Sequence, residues 1–302
     1  MHKRTCLRLA AALLLPALFM SACSRRDEAK VGTPADPLVI VISPAHAPAD
    51  PGALAVIKKH IEAASGLTVE LRPVRTPADA VKAFDAGLAD AGLLTLEEYL
   101  VARQEYRVKA VLQALRGDRL EDYEGVLLAK KGGPAGVADL DGKRVGFVGP
   151  YSVSGFTLPA LYLKKAGVKP VLDFSDGHAA VLKKLLDGGV DAAATYARQA
   201  SHAPGLKVIA VTGRVPNEPV VTRGDLPADK RDAVASALVS LNATPEGKKA
   251  LAAMADISGF QPVDPGVYKP MHELLRSEGK TVYDLVPGAW EIYRLNQPFM
   301  PD

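Results

Sequence analysis

Short apolar runs alternate with helical segments along most of this 302-residue chain, and that alternation limits the fold more than any other feature. The first run, 38–42, is continuously apolar, which is typical of a strand buried on both faces. The next segment, 51–65, has helical spacing and stops at Gly66. The same alternation then continues with predicted strands at 67–71, 89–93 and 108–114 and predicted helices at 77–86 and 95–104. Such a series predicts an α/β fold with a mostly parallel sheet and helices on both faces.

A second, smaller α/β unit is predicted in the middle of the chain. Its elements are strands at 125–129, 144–148, 192–195 and 207–211 and helices at 156–166 and 179–187. After Pro216 the chain is predicted to be mainly helical, at 227–241, 245–254, 265–275 and 282–291. The pattern therefore predicts two α/β lobes followed by a helical return.

The first 22 residues have the layout of a secretory signal peptide. Three basic residues precede an apolar run of twelve, 9–20, and small residues then lead into Cys23. A run of twelve is too short for a membrane-spanning helix, which needs about 20 residues. The cysteine after the small residues resembles the lipobox of bacterial lipoproteins, which implies a lipid on Cys23. Ordinary cleavage near Ala22 is the alternative.

Cysteine and charge counts agree with removal of this segment. The chain has two cysteines, and Cys6 lies inside the signal, so the mature chain would hold a single thiol at its N-terminus and no disulfide. Of 37 basic and 34 acidic side chains, the signal contains three basic and no acidic ones. The mature protein is thus formally neutral, and no basic patch for nucleic acid is predicted. Residues 24–37, rich in charge, Gly and Pro, are predicted to form a tether.

The stretch 149–159, Gly-Pro-Tyr-Ser-Val-Ser-Gly-Phe-Thr-Leu-Pro, carries the strongest chemical signal. It turns a predicted strand into a predicted helix whose first turn is built from hydroxyls and glycine. Backbone N–H groups, the positive end of the helix dipole and the side chains of Ser152 and Ser154 would then point at one spot. This is the chemistry of an oxyanion pocket. The alternative is that the serines only cap the helix.

Motifs for other chemistry are not found in the sequence. There is no Gly-x-Gly-x-x-Gly, no Walker loop and no His-Glu-x-x-His, and two cysteines cannot form a zinc site, so neither cofactor nor metal is predicted. Tyr151 stands where a Gly-x-Ser-x-Gly nucleophile elbow would need its first glycine. This argues against a serine hydrolase.

Four stretches resemble the phosphate/phosphite/phosphonate-binding family of ABC transporter substrate-binding proteins, which has the type II periplasmic-binding-protein fold. They are Asp-Leu-Asp-Gly-Lys-Arg-Val-Gly-Phe at 139–147, Tyr-Ser-Val-Ser-Gly at 151–155, the segment 178–191, and Val-Pro-Asn-Glu-Pro-Val at 215–220 running into Arg-Gly-Asp-Leu-Pro at 223–227. The family usually has Ser-Thr-Ser-Gly where this chain has Val153 in place of the threonine. The resemblance implies two α/β lobes joined by a hinge, with a ligand cleft between them.

The resemblance and the residue chemistry together give a candidate ligand site. Its predicted members are Ser152, Val153 through its backbone N–H, Ser154, Gly155, His178, Tyr123, Thr195 and Tyr196. His178 matches the family's ligand-contacting histidine and could act as a neutral donor or, when protonated, as a cation. Glu218 could face a cationic part of a ligand or lie exposed at the hinge, and His46 could face the cleft from the first lobe.

The predicted organisation assigns 1–22 to the signal peptide, 23–37 to the lipidated N-terminus and tether, 38–120 to lobe 1, 121–214 to lobe 2, and 215–302 to the return. The predicted function is a monomeric, lipid-anchored, periplasmic or cell-surface binding protein that captures a small oxyanion, with phosphonate, phosphite or phosphate favoured, for an ABC permease. The alternatives are a ligand-sensing lipoprotein for another anion and a hydrolase with His178 as base.

Overall fold

The computed structural model describes residues 26–85, 87–117, 120–201 and 203–297. The predicted signal peptide and the predicted lipidation site, Cys23, lie outside the described residues. Eleven strands occur in this part of the chain: β1 Leu38–Ile42, β2 Val69–Pro73, β3 Ala91–Leu93, β4 Lys109–Arg116, β5 Asp122–Lys130, β6 Arg144–Phe147, β7 Val171–Phe174, β8 Ala192–Tyr196, β9 Leu206–Pro216, β10 Pro219–Thr222 and β11 Ile257–Pro262.

Ten α-helices occur in the same described ranges. They are α1 Pro51–Ser65, α2 Pro77–Lys82, α3 Leu96–Tyr106, α4 Leu158–Lys165, α5 His178–Leu186, α6 Ala197–Ser201, α7 Ala228–Ser240, α8 Pro245–Ala252, α9 Lys269–Ser277 and α10 Ala289–Asn296. None of the described helices is long and apolar enough to cross a membrane.

The first sheet has six strands in the order β11-β4-β10-β3-β1-β2. β1 pairs in parallel with β2 and β3, as the sequence pattern predicts. β10, however, enters between β3 and β4 and is antiparallel to both, and β11 pairs antiparallel with β4 at the edge. The prediction of a mostly parallel sheet is therefore wrong for this half of the sheet, because two strands return from the far end of the chain.

The second sheet has five strands in the order β7-β6-β8-β5-β9. β6 is parallel to β7 and β8, whereas β5 is antiparallel to β8 and β9. We call the two sheets with their packed helices the first lobe (β1–β4, β10, β11) and the second lobe (β5–β9). The chain crosses from the first to the second between β4 and β5 and back between β9 and β10, so the α/β class with two lobes is confirmed.

Helix boundaries follow local chemistry closely where a cap is present. α1 has the predicted bounds, with Gly66 in the left-handed conformation at φ 73° as its C-terminal cap. Thr76 and Thr95 both close capping boxes, at the starts of α2 and α3. The predicted helix 156–166 is instead a π-helical turn, Val153–Thr157, that leads into α4.

Three strands and one short helix are missing from the sequence prediction: β7, β10, β11 and α6. β10 is only four residues long and fully buried, and β11 contains Gly259 and ends at Pro262, so neither has a strand-like alternation. β7 is an exposed edge strand with Val171 and Leu172 half accessible. Short or exposed strands of this kind give weak periodic signals.

The segment predicted as a tether is packed onto the first lobe from Arg26 onward. Arg26 Nη1 donates to Asp90 Oδ1 at 2.7 Å, and its Nε donates to Asp36 Oδ2 at 2.9 Å. Val31 is 1% exposed and Lys230 Nζ donates to its carbonyl oxygen. Composition alone suggested a flexible linker, but the buried carboxylate of Asp90 supplies the partner that holds this segment in place.

Candidate functional site

The turn that follows β6 lies at the carboxyl end of a strand of the second sheet, where ligands of open α/β sheets bind. Ser152 is its N-cap, and its hydroxyl accepts a hydrogen bond from the Gly155 N–H at 3.1 Å. The Thr157 N–H donates to the Ser152 carbonyl oxygen five residues earlier, which makes the turn π-helical. Such turns are frequent at functional sites.

Glycine is required at position 155. A Cβ there would lie 2.5 Å from Cβ of Val148, the residue that follows β6. The turn therefore folds back onto the strand only because residue 155 has no side chain.

Val153, which replaces the family's threonine, has two separate roles in the structure. Its side chain is 1% exposed and belongs to a hydrophobic cluster that also includes Tyr99 and Tyr268 of the first lobe. Its backbone N–H donates to Oε1 of Glu97, in the first turn of α3, at 3.2 Å. Both contacts join the two lobes, so the cleft is closed at this point.

The other predicted site residues form one connected set in the second lobe. His178 Nδ1 and Thr195 Oγ1 are 2.9 Å apart and hydrogen-bonded, and the His178 ring packs edge-on against Tyr196 at 4.7 Å. Tyr196 in turn packs edge-on against Tyr123 at 5.8 Å. The Tyr123 phenol is hydrogen-bonded to Ser154. Contacts thus connect all four of these side chains to the turn Val153–Thr157.

Burial determines the charge states on this wall. It lowers the pKa of His178 to about 4, so the imidazole is neutral at pH 7. Of the two roles predicted for His178, this burial favours the neutral hydrogen-bonding one, and the cationic one stays a prediction. Burial, together with the charges of Glu218 and Glu97, raises the pKa of Tyr123, so its phenol is protonated as well.

The first-lobe wall is charged; His46 and Glu218 are candidates from the sequence, whereas Arg116 and Glu97 are not. Arg116, at the end of β4, pairs through Nη2 with Glu218 Oε2 at 2.9 Å. His46 is 2% exposed, and its Nε2 lies 3.9 Å from Glu218 Oε1. Burial acts to raise the pKa of Glu218, but the neighbouring His46 and the charge of Arg116 lower it to about 2. Glu218 is therefore an ionised member of the cleft rather than an exposed hinge residue.

Two nitrogen atoms on this wall are buried without a hydrogen-bond partner among the described residues: Arg116 Nη1 and His46 Nδ1. Buried polar atoms are nearly always satisfied, by protein, water or a ligand. These two atoms lie beside an ionised carboxylate, in a cleft whose other wall is neutral. Arg116 could have been found from its position at the end of β4. His46, a candidate from the sequence, follows β1 of the same sheet.

A serine–histidine pair for hydrolysis is not formed by the residues that the structure describes. His178 Nδ1 contacts Thr195, and the Ser152 hydroxyl is used by the Gly155 N–H. Nor do the described His, Cys, Asp and Glu side chains form a cluster that could hold a metal ion. The arrangement offers hydrogen-bond donors and charges in a cleft, which is suited to binding.

Comparison with solved structures gives the same fold. A binding protein component of an ABC phosphonate transporter from Pseudomonas aeruginosa is 20% identical, with a TM-score of 0.62, over 78% of this chain and 84% of that one. PhnD1 from Prochlorococcus marinus, solved with methylphosphonate, is 20% identical with a TM-score of 0.62 over 80% and 98% of the two chains. A Xanthomonas citri protein solved with ATP is 17% identical with a TM-score of 0.63 over 85% and 98%. No curated protein matches this chain by sequence.

A family model described as "ABC transporter, phosphonate, periplasmic substrate-binding protein" matches residues 41–268. That range includes both sheets and both walls of the cleft. The match identifies a binding protein rather than an enzyme, and it sets aside the hydrolase alternative. On this evidence the chain belongs to the periplasmic phosphonate substrate-binding protein family of ABC transporters.

Proposed function

We propose that this protein captures a small phosphorus oxyanion, a phosphonate before phosphite or phosphate, in the cleft between its lobes and delivers it to an ABC permease. The observation that carries the proposal is the hydrogen bond from the Val153 N–H to the carboxylate of Glu97. The start of the turn Val153–Thr157 already donates to a carboxyl oxygen. A phosphoryl oxygen carries the same kind of charge and accepts the same hydrogen bond.

Both lobes contribute donors to such a ligand. The second lobe offers the N–H groups at the start of the turn, the Ser154 hydroxyl and the neutral His178 ring. The first lobe offers Arg116 Nη1 and His46 Nδ1, the two buried nitrogen atoms without a partner. Hydrogen bonds to a charged group contribute roughly 1.5–3 kcal/mol each. A ligand that engages both sets would hold the lobes together, as hinge-closing binding proteins do.

The ligand class is also supported by a relative of the same fold. PhnD1 from Prochlorococcus marinus was solved in complex with methylphosphonate. Val153 removes one hydroxyl from the motif that the family usually carries, but its N–H keeps its direction at the helix start. We therefore expect the same ligand class with a donor set that relies more on backbone and first-lobe groups.

The anchoring and location are part of the same proposal. Cleavage before Cys23 and lipidation of that cysteine would hold the protein at the membrane on the periplasmic or cell-surface side, as a monomer. Cys23→Ser should release the protein from the membrane fraction into the soluble extract. Continued anchoring of the variant would contradict the lipoprotein proposal.

The test of ligand class is a calorimetric and thermal-shift titration of protein freed of copurified ligand. Phosphate, phosphite, methylphosphonate and 2-aminoethylphosphonate are compared with sulfate. A ligand that binds only the folded state must raise Tm. We expect a selective rise with a phosphorus anion, and the proposal fails if every phosphorus anion leaves Tm unchanged.

Variants then connect the response to the cleft. Ser154→Ala and His178→Ala should each weaken binding by about tenfold or more, because each removes a donor or its support. Ser277→Ala and His272→Ala, in α9 away from the cleft, are matched controls that should leave the affinity unchanged. Unchanged affinity in both cleft variants would exclude this wall as the binding site.

A further inference from the structure

Glu97 reaches across the cleft to the second lobe. It lies in the first turn of α3, and its Oε1 accepts the Val153 N–H at 3.2 Å. The π-helical turn and α4 continue without a break from Val153 to Lys165, so the accepted hydrogen bond comes from the start of a long helical segment. An acidic side chain of the protein therefore already occupies the position where an oxyanion would bind.

The helix that carries Glu97 does not need it. The capping box of α3 is completed by Thr95 and Glu98: Oγ1 of Thr95 accepts the Glu98 N–H at 3.2 Å, and Oε2 of Glu98 accepts the Thr95 N–H at 2.9 Å. Glu98 Oε1 also accepts the Ser43 hydroxyl at 2.8 Å. Among the described residues Glu97 forms no ion pair. Its carboxyl group is hydrogen-bonded to its own N–H, to Thr95 and, across the cleft, to the Val153 N–H.

The surroundings make an ionised Glu97 unfavourable. Burial raises its pKa, and the nearby charge of Glu218, from the connection between β9 and β10, raises it further. Glu98 lies beside it on α3, and the protonated phenol of Tyr123 faces it from β5. Arg116 is engaged with Glu218. The carboxylate of Glu97 is therefore favoured mainly by hydrogen bonds, from its own N–H, from Val153 and from Thr95.

We propose that Glu97 is an internal competitor for the ligand: it occupies the Val153 donor in the empty closed protein, and an oxyanion must displace it to bind. The proposal rests on the proposed function, because the same donor is assigned to the ligand. Glu97 then determines specificity. An ionised Glu97 beside the ionised Glu218 repels a doubly charged anion more than a singly charged one, so affinity for a given oxyanion falls as Glu97 loses its proton.

The variant Glu97→Gln keeps the size of the side chain and removes its charge. With methylphosphonate as the probe in calorimetric titration, we expect the variant to bind about tenfold more tightly than the unmodified protein at pH 8.5, the size of one charge-assisted hydrogen bond. The ratio of the two affinities should approach one as the pH is lowered, because protonation of Glu97 removes the charge that the variant lacks. Titration of the probe itself affects both proteins equally and leaves this ratio unchanged.

Glu246→Gln is the matched control, since Glu246 is also in the first turn of a helix, α8, but is exposed and outside the cleft. It should bind as the unmodified protein does at every pH. Equal affinity of the Glu97→Gln variant at pH 8.5 would overturn the proposal. Weaker binding by the variant would also overturn it, and would make Glu97 a ligand contact instead.

A second measurement tests the contact in the absence of ligand. The amide proton resonance of Val153 should shift with pH in the empty protein, with a midpoint above that of an ordinary glutamate, and the shift should vanish in the Glu97→Gln variant. A Val153 amide that does not respond to pH would overturn the proposal by itself. If the amide responds but no phosphorus anion binds either protein, competition for this ligand class is refuted together with the proposed function.

Discussion

The two walls of the cleft differ in charge. The second-lobe wall is neutral, with a hydroxyl, backbone N–H groups, a histidine with a pKa of about 4 and two tyrosines. The first-lobe wall is charged, with Arg116, Glu218 and the acidic start of α3. A neutral wall of fixed donors can take an anion without rearrangement, whereas a charged wall decides which anion is tolerated. If the cleft binds an oxyanion as proposed, we expect the second lobe to contribute mainly to capture and the first lobe mainly to discrimination between anions.

The same contrast extends to what holds each lobe together, and the largest expected effect tests it. Asp90 is fully buried in the first lobe and accepts hydrogen bonds from Arg26, Arg223 and the Val39 N–H. Asp90→Ala leaves two arginines without their shared carboxylate, so we expect the free energy of unfolding to fall by about 4 kcal/mol. Denaturant titration measures this.

The matched variant in the second lobe is Asp122→Ala. Asp122 pairs with Arg214 on the surface, where water screens the interaction. Its removal should change the free energy of unfolding far less than that of Asp90. Equal losses of unfolding free energy in the two variants would show that a buried ion-pair cluster does not stabilise the first lobe more than a surface ion pair stabilises the second.

The next effect is a pair of opposing pH dependences. Burial raises the pKa of Glu98 in the first lobe to about 7, above its unfolded value, so its contribution to stability is present below about pH 4.5 and is lost as pH rises through 7. Burial lowers the pKa of His178 in the second lobe to about 4, so its contribution is present above about pH 6.5 and is lost as pH falls through 4.

Single variants should separate the two slopes. Relative to the unmodified protein, Glu98→Gln should gain stability as pH rises from 4 to 7, and His178→Gln should lose its relative advantage over the same range, each by about 3 kcal/mol at most. Thermal unfolding at four pH values is sufficient. Parallel pH profiles of the two variants would contradict the burial of a neutral acid in one lobe and of a neutral base in the other.

A smaller effect is expected where the walls meet. Val153→Thr restores the family's hydroxyl but places it in the apolar cluster shared with Tyr99 and Tyr268. The buried hydroxyl should lower the free energy of unfolding by about 1–2 kcal/mol. The matched change is Val267→Thr on the exposed surface, which should be nearly neutral. A stable Val153→Thr variant would indicate that the cleft opens readily to water.

The smallest predicted effect compares the two helix starts that face each other. Thr95→Ala removes the cap of α3, and Ser152→Ala removes the cap of the turn Val153–Thr157. Each should lower stability by about 1 kcal/mol. Only Ser152→Ala should also weaken oxyanion binding, because only the second-lobe cap orients the donors. Equal losses of affinity would remove the distinction between a capturing and a discriminating wall.

The sequence predicted the second-lobe wall better than the first for a physical reason. Ser152 to Gly155 are contiguous, and His178, Thr195 and Tyr196 lie at predicted strand or helix ends, which parallel sheets bring together. Arg116, Glu97 and Glu218 come from three separate segments, and Glu97 looked like an ordinary acid in a first helical turn. The sequence contains one signal for Glu97. The capping box that begins at Thr95 needs one acid, and Glu98 supplies it, so the cap does not need Glu97.

The fold was predictable where elements are long and capped, as in β1 and α1, and less so where the chain returns. β10 joins the first sheet between β3 and β4 through four residues whose burial shows no alternation. Its direction depends on tertiary pairing, which local pattern does not contain. The packed segment after Arg26 was likewise hidden, because its stabilising partner, Asp90, is 64 residues away.

That packed segment has a mechanical consequence. Arg26 is fixed to the first lobe, and only two residues separate it from Cys23. An extended chain spans at most about 3.3–3.6 Å per residue, so a lipid on Cys23 would hold the first lobe within roughly 10 Å of the membrane surface. The first lobe would then stay fixed at the bilayer. Opening of the cleft would move the second lobe alone, with its hydrogen-bond donors, toward the solvent.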